Sequence, residues 1–519
     1  MDTHTSHIQI PVTRVLAAGL VAVSIAGGAA LARAQGASVG DFEASADVGA
    51  PRLAGSATYN AVSQEYRLSA AGVNMWGPRD EFQFAWKRLR GDFILQARVR
   101  LLGDGVDPHR KAGVIARTSL DADSPYADAA VHGDGLISLQ FRRTKGAPTE
   151  EARSELTGAD VVRLERKGST LTLSAARFGE PFTASQVEGL ALGDDAYVGL
   201  FVCSHNPDVV ESAVFRDVRL VRPAREGFVP YRDYIGSRLE ILDVQTGNRQ
   251  VVHSSAEPFE APNWTRDGRA LIYNTSGRSE GRGRLRRFDL ATRQSSPIDT
   301  GSAVRNNNDH VLSFDGAWLG ISGQTTGDGQ SAVYTVPAAG GTPKRVTRLA
   351  PSYFHGWSPD GRHLVYTGGR NGEFDIYRIA ADGQGEETNL TRHPGLDDGP
   401  EYTPDGRYIY FNSTRSGTMQ IWRMKPDGAD PEPVTNDEHN NWFPHVSPDG
   451  KWIVFITFPK EVPPADHPYY QRVTLRLMPI EGGTPRVIAY LYGGQGTINV
   501  PSWSPDGTML AFVSNTGME

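Results

Sequence analysis

Short hydrophobic runs bounded by polar turn residues recur through the C-terminal half of the chain. Such runs are typical of buried β-strands. Four of these runs are Leu364–Tyr366, Tyr408–Phe411, Trp452–Phe455 and Met509–Phe512. The 57 glycines and 33 prolines of the chain fit a protein rich in turns better than a helical one. The pattern therefore predicts an all-β fold.

A four-residue turn, Ser/Thr-x-Asp-Gly, precedes each of these strands and recurs six times. Its glycines are Gly268, Gly316, Gly361, Gly406, Gly450 and Gly507, so the steps are 48, 45, 45, 44 and 57 residues. Proline at the second position fixes φ early in the turn, aspartate bonds the backbone ahead, and glycine takes a positive φ. A repeat of about 45 residues with four short strands is typical of a propeller blade.

The sixth turn is followed by only one strand, so the last repeat lacks its two outer strands. The runs at 238–244 and 249–253 match the third and fourth strands of a repeat, but no first or second strand precedes them. Pairing the strand around Leu239 with the strand around Leu510 would close the ring and leave no open edge. We therefore expect a six-bladed β-propeller over residues 235–519.

Residues 38–223 carry longer alternating runs and no sustained helical period. Examples are Phe93–Arg100, Ala112–Arg117, Leu136–Phe141 and Thr170–Ala175. This pattern predicts an antiparallel β-sandwich or jelly roll. Its lone cysteine, Cys203, is expected to be a small core residue.

Residues 1–34 have the pattern of a secretory signal. Arg14 precedes an apolar run, Val15–Leu31, and Ala32–Ala34 offers a cleavage site. The alternative is a single N-terminal membrane anchor; no other stretch approaches the length of a membrane span. With a net charge of −7, nothing favours nucleic acid as a partner. We expect a periplasmic or secreted protein with no membrane span after signal cleavage.

The repeats resemble those of TolB-type (PD40-type) propellers, whose hallmark sequence occurs at Trp357–Gly361 and Trp503–Gly507. That resemblance implies a propeller fold, in proteins that include periplasmic scaffolds and, more distantly, oligogalacturonate lyases. Residues 38–223 are similar to a concanavalin A-like (laminin-G-like) jelly roll through the segments 91–101 and 112–120. Domains of that type often accompany glycan-active proteins.

The segment before each turn leads into the innermost strand of a blade and faces the central funnel. Polar residues in these segments supply the candidate site. Three histidines are candidate ligands of a divalent metal such as Mn, Zn or Ca: His310, His355 and His445. Asp398 and Glu401 are candidate catalytic acid/base groups. The candidate ligand-binding residues are Glu260, Asn308, Asp309, Asn441, Trp442 and Asn499.

Three interpretations of these polar funnel residues remain open: a metal or catalytic site, sugar binding without a metal, and a water-filled channel whose polar groups satisfy one another.

Trp264, Trp357 and Trp503 share one repeat position and are expected between blades. Three other histidines are expected in solvated loops: His393, His439 and His467. In the sandwich, the candidates for a concave face are Trp76, Arg117, His132, Gln140 and Arg142, with a solvated sheet face as the alternative.

The sequence thus favours a secreted or periplasmic protein that engages an oligo- or polysaccharide. If it is an enzyme, metal-assisted lyase or hydrolase chemistry in the funnel is expected. The alternative is a non-enzymatic, TolB-like scaffold that docks another envelope protein.

Overall fold

The computed structural model describes residues 38–229, 232–276, 283–324 and 329–518. The predicted signal sequence, residues 1–34, lies outside these ranges. Within them every regular element is a β-strand. No helix of this described part is long and apolar enough to cross a bilayer.

Fourteen strands form two seven-stranded antiparallel sheets, which we call the two-sheet unit. The strands are β1 (Ala44–Val48), β2 (Ser56–Asn60), β3 (Glu65–Gly72), β4 (Phe82–Arg90), β5 (Phe93–Leu101), β6 (Lys111–Arg117), β7 (Tyr126–His132), β8 (Ile137–Arg142), β9 (Glu150–Arg153), β10 (Val161–Lys167), β11 (Thr170–Ala176), β12 (Thr183–Val187), β13 (Asp195–Cys203) and β14 (Asn206–Val221). The sheet orders are β1-β4-β13-β6-β7-β8-β9 and β12-β11-β10-β5-β14-β3-β2.

Alternate residues of both sheets meet in one hydrophobic core. Val114 and Leu200 of the first sheet and Leu95 and Val162 of the second all belong to it and are fully buried. Burying such side chains is the main favourable contribution to folding. Cys203 is buried as expected, on the opposite face of the first sheet.

The propeller begins at β15, and five of its blades are four-stranded antiparallel sheets formed by consecutive strands. Their strands are β17 (Phe259–Trp264), β18 (Ala270–Thr275), β19 (Arg284–Asp289) and β20 (Ser295–Pro297) in blade one; β21 (Asn306–Leu312), β22 (Trp318–Gln324), β23 (Ser331–Pro337) and β24 (Lys344–Arg345) in blade two; β25 (Ser352–Trp357), β26 (His363–Arg370), β27 (Glu373–Ala380) and β28 (Thr388–Asn389) in blade three; β29 (Asp397–Tyr402), β30 (Ile409–Ser413), β31 (Gln420–Met424) and β32 (Glu432–Pro433) in blade four; and β33 (Asn440–Val446), β34 (Trp452–Phe458), β35 (Gln471–Pro479) and β36 (Arg486–Gly493) in blade five.

Blade six combines the two ends of the propeller, which confirms the predicted closure. Its strands are β15 (Gly236–Asp243), β16 (Arg249–Ser255) and β37 (Met509–Thr516), in the order β16-β15-β37. Leu239 pairs with Val513 and Leu242 with Leu510. A bridge from Trp503 to Leu510 supplies the innermost position. The two ends of the propeller therefore complete one sheet and close the ring.

The repeated turn has one hydrogen-bond pattern, illustrated by blade three. The Ser358 hydroxyl donates to Asp360 Oδ1 at 2.6 Å and accepts from the backbone N–H of His363 at 2.8 Å. The N–H of Gly361 donates to the Ser358 carbonyl, and Gly361 has φ of 69°. These contacts need a hydroxyl, a carboxylate and a residue that accepts positive φ, which explains the repeated sequence.

The tryptophan before this turn packs between neighbouring blades, as predicted. The indole N–H of Trp357 donates to the Val311 carbonyl of blade two at 2.9 Å. The indole of Trp503 likewise donates to the His445 carbonyl of blade five at 3.0 Å. Both side chains are buried, and these two indoles tie blades three and six to the preceding blades. Trp264 is buried as well, but its indole N–H has no hydrogen-bond partner among the described residues.

The two-sheet unit packs against the propeller through buried ion pairs and aromatic rings. Arg219 of β14 donates to Glu240 Oε2 of β15 at 2.7 and 3.0 Å. Arg249 lies 3.7 Å from the same oxygen, and all three side chains are at least nine-tenths buried. Phe182 lies against Tyr490 of blade five with ring centroids 4.4 Å apart.

Candidate functional site

A central cavity of about 1160 Å³, the funnel cavity, lies between the innermost strands of the blades. Six of the residues proposed from the sequence line it together: Glu260, Asn308, Asp309, His355, Asp398 and Asn499. They come from blades one, two, three, four and six. The repeat therefore brings together side chains that are far apart in sequence. Aromatic residues, including Tyr353 and Phe443, also line the cavity.

His355 and Asp398 form the best-defined polar contact in the cavity. His355 Nε2 lies 3.3 Å from Asp398 Oδ1, and the hydroxyl of Thr367 donates to that oxygen at 2.6 Å. The imidazole stacks on Phe443, with ring centroids 6.1 Å apart and an interplanar angle of 22°. These contacts hold the His355 ring against the cavity wall.

The charges of this group are coupled. Burial alone would lower the pKa of His355, but the carboxylates of Asp309 and Asp398 outweigh it and raise that pKa. Burial would raise the pKa of Asp398, yet the hydrogen bond from His355 lowers it to about 2. Burial raises the pKa of Asp309 to about 7, because the nearby imidazolium only partly offsets desolvation. Asp398 is therefore the ionised partner of His355, and Asp309 titrates near neutral pH.

Glu260 forms a second carboxylate centre in the same cavity. It accepts hydrogen bonds from the Ser276 hydroxyl at 2.6 Å and from the Tyr469 hydroxyl at 3.2 Å. Burial raises its pKa, and these hydrogen bonds only partly counter that effect. Gly496 packs so closely that a Cβ there would lie 2.4 Å from Glu260 Oε2. The carboxylate is therefore fixed in position.

The three histidines proposed as metal ligands do not form one site. His310 is fully buried, lies outside the cavity lining, and places Nε2 3.2 Å from the Ile272 carbonyl of blade one. His445 places Nδ1 2.6 Å from Glu401 and Nε2 2.5 Å from the Ile498 carbonyl. Among the described residues there is no group of three His, Cys, Asp or Glu side chains that could hold a metal ion. The predicted metal site is not confirmed.

Glu401, Asn441 and Trp442 are also absent from the described lining of the funnel cavity. Glu401 bonds His445 and the backbone N–H of Val446, so it joins blades four and five. Asn441 belongs to a buried network and donates to Gln420 at 3.1 Å. Trp442 is completely buried in the core of blade five. Of the proposed catalytic pair, only Asp398 reaches the cavity.

A β-bulge in the innermost strand explains why His310, Glu401 and His445 lie outside the cavity lining. In blades one to five the pairing register shifts within this strand, as between Asn306 and His310 or between Trp442 and His445. An extra residue in a strand resets which side chains face each side. His310 and His445 lie immediately after the bulge and therefore face the neighbouring blades.

The cavity lining also includes residues that were not proposed from the sequence, among them His467 and Tyr469. His467, which was expected to be solvated, is half-buried and lines the cavity; its ring centroid lies 4.4 Å from that of Trp442, with an interplanar angle of 77°. Tyr469, on the same connection between β34 and β35, also lines the cavity. The sequence feature that could have indicated both residues is the last spacing between turn glycines, from Gly450 to Gly507. It is 57 residues long, longer than the other spacings.

Two of the concave-face candidates of the two-sheet unit, Arg117 and Arg142, hold a buried carboxylate. Asp80 bonds Arg117 at 2.7 Å and Arg142 at 2.6 Å, and all three side chains are completely buried. His132 and Gln140 are buried as well, whereas Trp76 is 42% exposed. Arg117 and Arg142 therefore anchor the segment around Asp80 instead of facing solvent or a ligand.

A ring of six blades around a polar central cavity makes the C-terminal part of this chain a six-bladed β-propeller. The TolB beta propeller domain (PD40) family matches residues 349–519. An uncharacterized protein of Agrobacterium fabrum is 46% identical over 278 residues, which cover 53% of this chain and 92% of that protein. The chain belongs to the family of TolB-like β-propeller proteins.

Other similarities agree with this assignment. A solved structure described as a putative TolB from Agrobacterium tumefaciens is 44% identical; the match covers 55% of this chain and all of that one, with a TM-score of 0.52. The Tol-Pal system protein TolB of Bordetella pertussis is 28% identical over 151 residues. That match covers 28% of this chain and only 32% of the Bordetella protein.

Proposed function

We propose that this chain is a non-enzymatic, TolB-like binding protein of the cell envelope that holds a segment of another protein in its funnel cavity. The observation that carries the proposal is the lining of that cavity. Three carboxylates, of Glu260, Asp309 and Asp398, share it with the aromatic rings of Tyr353 and Phe443. A concave site of this kind, with a few convergent polar groups among aromatic side chains, suits a ligand better than a structural role.

Binding is favoured over catalysis by the state of the candidate acid/base groups. Asp398 has its pKa lowered to about 2, so it is a poor proton donor near neutral pH. Its proposed partner Glu401 is engaged with His445 and Val446 between blades. Glu401 is therefore not available in the cavity as the partner of Asp398.

The charge of the lining points to the chemistry of the partner segment. Asp398 is ionised near neutral pH and Asp309 is partly ionised. Arg284 and Arg305 also line the cavity, so it is not uniformly acidic. A lysine or arginine side chain flanked by apolar residues would pair with the carboxylates and pack on the aromatic rings. The names of the Bordetella relatives, which place them in the Tol-Pal system, support a protein partner in the envelope.

Site-specific photo-crosslinking tests this proposal. A photoreactive phenylalanine analogue replaces Tyr353 in the funnel cavity, and the same analogue replaces Trp318, which is 46% exposed and absent from the lining, as the matched control. We expect a discrete protein adduct from position 353 and none from position 318. The adduct should disappear when Asp309 and Asp398 are both changed to asparagine. Identical adducts from both positions, or none, would contradict the proposal.

An oligosaccharide is the second candidate ligand, because Tyr353 and Phe374 place two rings 6.4 Å apart at the cavity. The carboxylates favour a neutral or amino sugar over a polyanionic one. Turnover of any oligosaccharide by the purified protein, lost in Asp398→Asn, would replace the scaffold proposal with an enzymatic one.

The remaining assignments are part of the same proposal. We infer a signal sequence at residues 1–34, a concanavalin A-like jelly roll at 38–223 and the propeller at 235–519, with the mature protein in the periplasm. The two sheets and their shared core support the jelly roll. N-terminal sequencing of protein from a periplasmic fraction tests both the location and the cleavage site. An N-terminus at Met1, or protein confined to the cytoplasmic fraction, would contradict it.

A further inference from the structure

A second concave site, the side cleft, lies between the two-sheet unit and blade six. It has a volume of about 420 Å³, within the range of small-molecule sites. Strands β2, β3, β4 and β14 line it on one side, and β15, β16 and the end of β37 on the other. Junctions of this kind between two structural units are frequent positions for ligands.

The cations of the side cleft outnumber its carboxylates. Lys87, Arg219, Arg222 and Arg238 line it, whereas Asp41 is the one carboxylate among its described lining residues. Arg219 is paired with Glu240 and therefore offers little charge to a ligand. A chain with a net charge of −7 thus concentrates positive charge at this junction.

Two of these cations lack an anionic partner. Lys87 is half-buried, and its ammonium group makes no hydrogen bond or ion pair with any residue that the structure describes. Arg238 is also half-buried; its Nη2 donates to the Leu220 carbonyl at 2.9 Å, but no described carboxylate lies within ion-pair distance of it. Burial lowers the pKa of Arg238 and the neighbouring Arg219 lowers it further, and the carboxylates of Glu240 and Asp41 only partly oppose them. A bound anion would relieve this unfavourable burial of charge.

Two tyrosine hydroxyls add hydrogen-bond donors to the same cleft. Tyr66 accepts a hydrogen bond from the backbone N–H of Asp41 at 2.9 Å, and among described residues its own proton has no acceptor. The Tyr59 hydroxyl likewise has no described hydrogen-bond partner, and its ring lies 4.5 Å from that of Tyr66. The groups left without partners are thus two cations and two hydroxyl donors, which is the complement of an anion.

We propose that the side cleft binds a small molecule through a carboxylate or phosphate group, with Lys87 and Arg238 as its charge partners and Tyr59 and Tyr66 as hydrogen-bond donors. A guanidinium and an ammonium suit either oxyanion. The ligand class is therefore a small oxyanion, such as a uronic acid or a phosphorylated compound. This site is independent of the funnel cavity and of the function proposed for it.

Calorimetric titration of the purified chain tests the proposal. The probes are inorganic phosphate, D-galacturonate and, as a neutral control, D-galactose, all at constant pH and ionic strength. We expect saturable binding of phosphate, galacturonate or both, and none of galactose. Binding of phosphate alone would identify a phosphate group, and binding of galacturonate alone a carboxylate.

Charge-matched variants locate the binding. The double variant Lys87→Gln/Arg238→Gln should bind the active probe at least about tenfold more weakly. The control Arg67→Gln/Arg88→Gln removes the same charge from two exposed positions outside the cleft and should bind like the wild type. Each single variant is measured too, with a thermal melt to establish folding. Absence of binding by the wild type, equal binding of galactose, or unchanged binding by a folded Lys87→Gln or Arg238→Gln protein would each overturn the proposal.

Discussion

Leu239, in the first strand of the propeller, lies directly opposite Val513 in its last strand, and both side chains are buried. This pair sits in the sheet that closes the ring. Replacing Leu239 with alanine removes buried methyl groups from that sheet and should lower the free energy of unfolding by about 3 kcal/mol. Chemical denaturation measures the change.

The control for that variant is Val62→Ala, at a position 83% exposed, which should change the free energy by less than about 0.5 kcal/mol. Equal stability of Leu239→Ala and Val62→Ala would show that closure of the ring does not depend on this pair.

Asp80 neutralises two completely buried guanidiniums, those of Arg117 and Arg142. Asp80→Asn leaves both charges without their shared carboxylate and should destabilise the two-sheet unit by about 4 kcal/mol. The comparison is Asp208→Asn, which breaks the exposed pair with Arg52 and should cost less than about 1 kcal/mol. Thermal melts of the two variants should therefore differ clearly, and coincident melts would refute the anchoring role of Asp80.

Asp309 and Asp398 line one cavity but should affect stability in opposite directions. The folded pKa of Asp309 is raised to about 7, so its ionisation costs stability as the pH rises from its unfolded pKa of 3.8 to about 7. Asp309→Asn should therefore increase the free energy of unfolding near pH 8 by at most about 4 kcal/mol, which raises the melting temperature. Near pH 4 the melting temperature should be nearly unchanged.

The folded pKa of Asp398 is lowered to about 2, so its contribution is present above its unfolded pKa of 3.8 and lost as the pH falls through about 2. Asp398→Asn should therefore lower stability near neutral pH, by about 2 kcal/mol. Melting temperatures of both variants across pH provide the measurement. Shifts of the same sign near neutral pH would contradict the coupled arrangement around His355.

Glu240 joins the two-sheet unit to the propeller. Burial alone would raise its pKa, but Arg219 and Arg249 outweigh burial and lower it to about 2. Its contribution to stability is therefore full above its unfolded pKa of 4.5 and lost as the pH falls through about 2. Glu240→Gln should cost about 3 kcal/mol near neutral pH, with a loss that shrinks on acidification.

The control for Glu240 is Glu432→Gln, which removes the half-exposed partner of Arg423. It should show little effect at any pH, because exposed ion pairs contribute little. A penalty for Glu240→Gln that stayed constant down to about pH 2 would point to packing instead of charge.

The propeller could be predicted because the sequence pattern that specifies each blade is local and repeated. Each blade carries the same hydroxyl–aspartate–glycine turn, and each turn specifies its own hydrogen bonds, as at Ser358 and Asp360. The closure followed from counting strands, since Leu239 and Leu510 belonged to incomplete repeats. The cavity residues Glu260, Asp309 and His355 followed from their place before the turn.

The rest of the site could not be predicted, because it depends on register and on contacts between blades. A bulge in the innermost strand directs His445 toward Glu401 instead of the cavity, and alternation along the sequence does not reveal where that bulge falls. His467 reaches the cavity from a long connection whose path is set by packing against Trp442. Arg117 and Arg142 find their partner Asp80 far away in sequence, where no local pattern links them.

The pairing of β15 with β37 also constrains the order in which the molecule can assemble. The other five blades are built from neighbouring segments, so each can form from contacts close in sequence. The sixth needs a strand that is synthesised after all of them, and bringing the two ends together carries the largest loop-closure entropy in the ring. Until Met509–Thr516 pairs with β15, the flank of β15 exposes unpaired backbone groups. A chain in which this pairing has not formed is therefore the form of this protein most open to aggregation and to capture by chaperones.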